Sequence, residues 1–155
     1  EPECQATLID ASLLPCERPW ESAHEWGDLS GFADESGASF AGWLTCIHGS
    51  AADQYSAWLF AFQELMPIVG AEVRTELIRR LAPGPREDLR AIAERARRQV
   101  NPGASRISSL VYDRFLKANR IPSGVANYGE VAGLLLGVQF GPNWTPKLNV
   151  TRLVR

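Results

Sequence analysis

Cys46-Ile47-His48 places a thiol and an imidazole two residues apart. Thiolate and imidazole are ligands for zinc and partners in nucleophilic catalysis. Positions i and i+2 of a helix do not face each other, however. Ile47 belongs to an apolar stripe, which turns Cys46 and His48 partly aside. The pair therefore reads as a buried thiol and a half-exposed imidazole. Cys4, Cys16 and His24 complete a zinc sphere here only if the N-terminal segment folds over this point. The acid pairs Asp34-Glu35 and Glu87-Asp88 read as solvent-facing, the second in the first turn of a helix, where the dipole favours negative charge. No glycine loop has phosphate- or dinucleotide-binding spacing. Gly133 and Gly137 lack the strand, Lys and Thr that such a loop needs, and no Ser sits in a G-x-S-x-G setting. The expectation is a chain without catalytic residues, resident metal or cofactor, with a zinc or thiol protein through Cys46 and His48 as the minor reading.

Arginine is the more informative residue. Arg86, Arg90, Arg95, Arg97 and Arg98 fall in one segment, and Arg106, Arg114, Lys117 and Arg120 in the next. Glu87, Asp88 and Glu94 are interleaved with the first set, the pattern of a solvated helix face. Ile92–Ala96 followed by Ser105–Leu110 resembles the two helices of a helix-turn-helix, but the turn between them is about six residues too long. If the basic helices bind DNA or RNA, Arg98, Arg106, Arg114 and Arg120 are the residues to carry it.

Charge is divided along the chain. Residues 1–70 hold eleven acids against Arg18, and residues 71–155 hold fifteen Lys and Arg against seven acids, so a net of −10 faces a net of +8. The simplest reading is that the halves fold together and largely cancel. The other is a charged partner.

The elements that must position these residues are mainly helical. At 155 residues the chain forms one domain with enough core to need no staple. Apolar positions at 3.6 spacing predict helices over 39–48, 51–66, 68–82, 86–100, 105–120 and 128–137. Ser50 and Asp53 have capping spacing for the second, Asn127 and Glu130 for the last. Pro83-Gly84-Pro85 and Asn101-Pro102-Gly103 act as stops. Trp58, Leu59, Phe62, Leu77, Leu89, Ile92, Leu110 and Val111 are the expected core. Residues 1–38 carry Pro2, Pro15, Pro19, Gly27, Gly31 and Gly37 among nine acids and read as an irregular docking arm. Residues 140–155 read as an extended basic tail. The expected fold is thus a mainly α bundle of five to six helices (39–139) with an irregular acidic arm and an extended tail.

The three cysteines fit free thiols in a reducing compartment ahead of a Cys4–Cys16 disulfide with Cys46 buried. A start at Glu1 leaves a processed organellar or exported form open. No apolar run is long enough to span a membrane. Trp and Arg are the residues that most often anchor interfaces. The functional expectation is a non-catalytic binding or assembly protein: a subunit, an adaptor or a neutraliser of another protein. It docks on a protein or larger assembly through its chain ends, with Trp20, Trp26, Trp144, Lys147 and Arg152 as contact candidates and nucleic acid as the second choice of partner.

Overall fold

The computed structural model describes residues 10–29, 34–99 and 128–147. Among the described residues there are six α-helices: α1 (Arg18–Leu29), α2 (Glu35–Ile47), α3 (Ala51–Leu65), α4 (Ala71–Arg80), α5 (Pro83–Gln99) and α6 (Tyr128–Leu136). The mainly α expectation holds, and the described residues contain no strand beyond one antiparallel bridge, Phe140 to Pro146.

The central helix is α2, which contacts α1, α3 and α6. Trp43, 1% exposed, sits at its middle with Cys46, Ile47, Ala57, Phe60, Ala61, Val131 and Leu135 packed into the same cluster. Two caps fix the register of the central helices. The Asp34 carboxylate accepts from the Gly37 N–H at 3.0 Å to start α2. Ser50 and Asp53 form the expected capping box at the start of α3.

The first correction concerns the arm. Residues 18–29 are not irregular; they form α1, and α2 begins at Glu35 instead of residue 39. Pro19 lies in the first turn of α1, where a missing N–H costs nothing. One orphan donor of that turn, the Trp20 N–H, reaches the Ser56 hydroxyl of α3 at 3.1 Å, and that hydroxyl donates to the Glu17 carbonyl at 3.3 Å. A partner 36 residues away thus completes the helix start. Glycine, a weak helix former, is used here for close approach. A Cβ on Gly42 would lie 2.8 Å from the His24 nitrogen, and one on Gly27 3.2 Å from the Ala38 carbonyl oxygen. Small residues on both helices let α1 and α2 backbones nearly touch.

The second correction concerns the core. Leu59 and Ile92 are buried, but Trp58 is 39% exposed, and Phe62, Leu77 and Leu89 are half-buried. The α3 face turned inward is Ser56, Ala57, Leu59, Phe60 and Ala61. Its small residues admit Trp43 and Trp20, so close approach outweighs the larger stripe of Trp58, Phe62 and Leu65. Leu110, Val111, the helix expected over 105–120 and Asn127 lie outside the described residues. A 3₁₀ turn over Met66–Ile68 delays α4 to Ala71. Pro83 begins α5 three residues before the expected start, since proline suits the first helical position. Between α4 and α5, the Arg86 guanidinium donates to the carbonyls of Arg79 and Leu81 at the end of α4.

The third correction concerns the start of the tail. Residues 139–147 double back: the Gly141 N–H donates to the Thr145 carbonyl and the Lys147 N–H to the Gln139 carbonyl, both at 2.7 Å. Asn143 and Trp144 take left-handed φ values of 60° and 58° at the tip.

Candidate metal centre

His24 is buried on the face of α1 that also carries Glu21 and Asp28, three residues before it and four after it, which puts the three on one side of the helix, while Glu25 stands about 100° round from it. The close crossing with α2 brings Glu35, in the first turn of that helix, onto the same spot. His24 Nε2 lies 3.2 Å from Glu35 Oε1 and 3.7 Å from Asp28 Oδ2. One ligand atom from each of the three falls within 4.8 Å of the others. Around a tetrahedral zinc with bonds of roughly 2.1 Å, ligand atoms stand about 3.4 Å apart. The two distances from His24, 3.2 and 3.7 Å, bracket that value, and the two carboxylates lie within 4.8 Å of each other.

The other ring nitrogen is also engaged. His24 Nδ1 lies 3.3 Å from the buried Ser39 hydroxyl. A second hydrogen bond of this kind fixes ring orientation and tautomer in metal-binding histidines. Trp20 stacks on the imidazole with centroids 5.3 Å apart, and Trp20 in turn stacks on Phe60 at 3.7 Å. The ring is therefore held from behind by hydroxyl and indole, with its free edge facing two carboxylates.

The electrostatics are those of an anionic centre. Burial works to lower the His24 pKa, but the hydrogen bond and charge of Glu35, followed by Asp28 and Glu21, outweigh it and raise the value above its ordinary 6.5. Burial raises the carboxyl pKa of Asp28, with His24 opposing and Glu35 and Glu25 adding to it. Burial raises Glu21 as well, against the pull of His24. A cation placed among these groups relieves the repulsion.

The sequence carries a signal for this site that the residue reading passed over. His24-Glu25-Trp26-Gly27-Asp28 has the i, i+4 ligand spacing and intervening Glu of the helical zinc pattern H-E-x-x-H, with Asp in the second ligand position. Proline and glycine in residues 1–38 argued against the helix that makes this spacing meaningful. Nor are the two acid pairs mere surface. Asp34 caps α2 and Glu35 faces His24, while the Asp88 carboxylate accepts from the Tyr55 hydroxyl at 2.6 Å.

The residues singled out earlier lie elsewhere. Cys46 is buried, its thiol donating to the Pro19 carbonyl at 3.5 Å, and burial followed by the charge of Asp53 pushes its pKa to about 11. His48 is exposed at the end of α2. The described part of the arm brings the Pro19 carbonyl over Cys46, and Cys4 lies outside the described residues. Trp20, expected to meet a partner, is taken up by Phe60, and its indole N–H donates to the Ser39 carbonyl at 3.4 Å. Trp26 and Trp144 are 70% and 73% exposed, on α1 and at the tail turn, and Lys147 is exposed beyond it. Arg98 is exposed in the last turn of α5. Arg106, Arg114, Arg120 and Arg152 lie outside the described residues.

No helix among the described residues is long and apolar enough to cross a membrane. No curated protein and no solved structure matches the chain. Residues 6–136, which include α1 through α6 and every member of the His24 cluster, match the family described as "Protein of unknown function (DUF3810)", and the chain belongs to that family.

Proposed function

We propose that the chain carries a divalent metal centre of the hydrolytic kind, with His24, Asp28 and Glu35 as ligands and Glu25 as the proton acceptor. The carrying observation is the meeting of one imidazole nitrogen with two carboxylates, 3.2 and 3.7 Å away, on a helix pair held together by glycine. Three protein ligands leave a fourth position for water, the arrangement of catalytic zinc sites. A cation held by His24, Asp28 and Glu35 would supply Lewis acidity, lowering the pKa of a bound water and polarising the bond to be cleaved. Glu25, directly after the ligand histidine, has the position of the general base in the helical zinc pattern. Two carboxylates donate more negative charge than a His₂Glu set, so bound water is less acidified and hydrolysis shifts to more alkaline pH. This reading stands beside the expectation of a non-catalytic binding protein, which rests on the Trp-bearing arm, the basic tail and the missing catalytic motifs.

The test is zinc and manganese titration of the full chain against a chelating dye. One equivalent is bound, and His24→Ala, Asp28→Asn and Glu35→Gln each weaken it at least tenfold. Glu25→Gln keeps the metal but loses metal-dependent cleavage of a mixed peptide and ester panel. Stoichiometric binding unaffected by all three ligand variants defeats the proposal.

The exposure of Trp26 and Trp144 supports a second reading, docking on another protein. Asn143 and Trp144 both hold left-handed backbone, a strained geometry that clusters at functional surfaces. Trp144→Ser should then abolish capture of a partner while leaving the thermal midpoint of the chain unchanged. A variant that captures the same partner equally well removes this reading.

A further inference from the structure

A second site lies on the opposite charge half of the molecule, independent of the His24 centre. A 590 Å³ cavity opens between α3, α4 and α5, within the size range of small-molecule sites. Four arginines line it, Arg74, Arg86, Arg90 and Arg97, against one acid, Glu94. The Nε atoms of Arg74 and Arg86 are buried and have no hydrogen-bond partner. Both guanidiniums are nonetheless held in place, Arg74 donating to the Val69 carbonyl at 3.2 Å and Arg86 to the Leu81 carbonyl at 2.7 Å. Buried donors left unmatched are costly and rare, so the burial of these two Nε atoms fixes how Arg74 and Arg86 sit and leaves the cavity face to the rest of each guanidinium.

The cavity does not end at the arginines. Phe62 and Leu89 also line a 390 Å³ groove whose other walls include Trp58, Leu65, Leu81 and Pro85. The two spaces share Phe62 and Leu89 as lining residues. One end offers fixed positive donors and the other almost pure hydrocarbon.

We propose that a single-chain amphiphile with an anionic head, a free fatty carboxylate, lies across both spaces over Phe62 and Leu89, with its chain along Trp58. The carboxylate sits among Arg74, Arg86, Arg90 and Arg97, where planar guanidinium groups match its two oxygens.

The experiment is titration of the full chain with dodecanoate below its micelle concentration, followed calorimetrically. Dodecanol, inorganic phosphate and phosphatidylglycerol vesicles are run beside it. Saturable one-to-one binding of dodecanoate is expected, with dodecanol and phosphate each at least tenfold weaker. The exposed pair Arg90→Gln and Arg97→Gln should weaken dodecanoate about tenfold without moving the thermal midpoint, and Phe62→Ser should weaken dodecanoate and dodecanol alike. Dodecanol binding as tightly as dodecanoate refutes the role of the arginines. Phosphate binding as tightly refutes the role of the hydrocarbon groove. Capture by vesicles without binding of monomeric dodecanoate makes the face a membrane contact, and no binding of any probe means that other protein covers it; either result overturns the proposal.

Discussion

His24 holds its proton more tightly in the folded chain than in the unfolded one, because Glu35, Asp28 and Glu21 outweigh the effect of burial. A group with a raised folded pKa stabilises the fold while protonated. That contribution is complete below its ordinary 6.5 and is lost as pH rises through the higher folded value. Asp28 and Glu21, raised chiefly by burial, add the same sign at lower pH. The thermal midpoint of metal-free protein should therefore fall between about pH 6 and about pH 8, where imidazole titrates. His24→Gln should flatten that fall. Saturating zinc should reverse it, since metal needs the deprotonated ligands. Scanning calorimetry at several pH values checks all three, and a metal-free midpoint that climbs over this range contradicts the assignment. At this scale the sequence was legible in part. The i, i+4 relation of His24 and Asp28 is visible in the residues, whereas Glu35 and Ser39 join them only through a helix crossing that no local pattern encodes.

At the scale of elements, the crossing of α1 and α2 depends on Gly42. Alanine is normally the better helix residue by roughly 0.5–1 kcal/mol. At Gly42 its methyl would meet the backbone of α1 at 2.8 Å, so the helices must separate. Gly42→Ala should cost about 1–3 kcal/mol and weaken metal binding. Gly27→Ala, where the nearest approach is 3.2 Å, should cost less. Denaturant unfolding with parallel zinc titration ranks the two, and the reverse order contradicts the packing described. A similar contrast separates two tryptophans. Trp43→Ala removes the centre of the core and should cost about 3–5 kcal/mol. Trp58, 39% exposed, should cost well under half as much. Equal losses would place α3 the other way round. The helices over 51–66, 86–100 and 128–137 were legible within a few residues because their apolar spacing follows the helical period, and for 51–66 the capping box agrees as well. The orientation of α3 was not, because a stripe of large residues looks like a core face whether it meets the protein or a ligand.

At the scale of the whole molecule, the charge division is joined by one buried contact. Arg95 donates to Glu17 through two nitrogens, at 2.6 and 3.1 Å, tying the acidic segment before α1 to basic α5. Both side chains are mostly buried, at 16% and 13% exposure. Breaking such a pair from one side leaves a lone buried charge, and Glu17→Gln or Arg95→Met should each cost about 3–5 kcal/mol. The double change Glu17→Met with Arg95→Met should recover most of that loss. Chemical unfolding of the three variants is the check, and additive losses contradict the pairing. The arm's acids thus meet helix arginines within the chain at this point, as the simplest reading of the charge division holds. Ser56 has a consequence of another kind. Since its hydroxyl supplies the acceptor for the first turn of α1, the Trp20 amide should exchange with solvent deuterium as slowly as the amides of α3, and Ser56→Ala should release it early. If the proposed cation site exists, it would be completed only once α3 has docked against the start of α1.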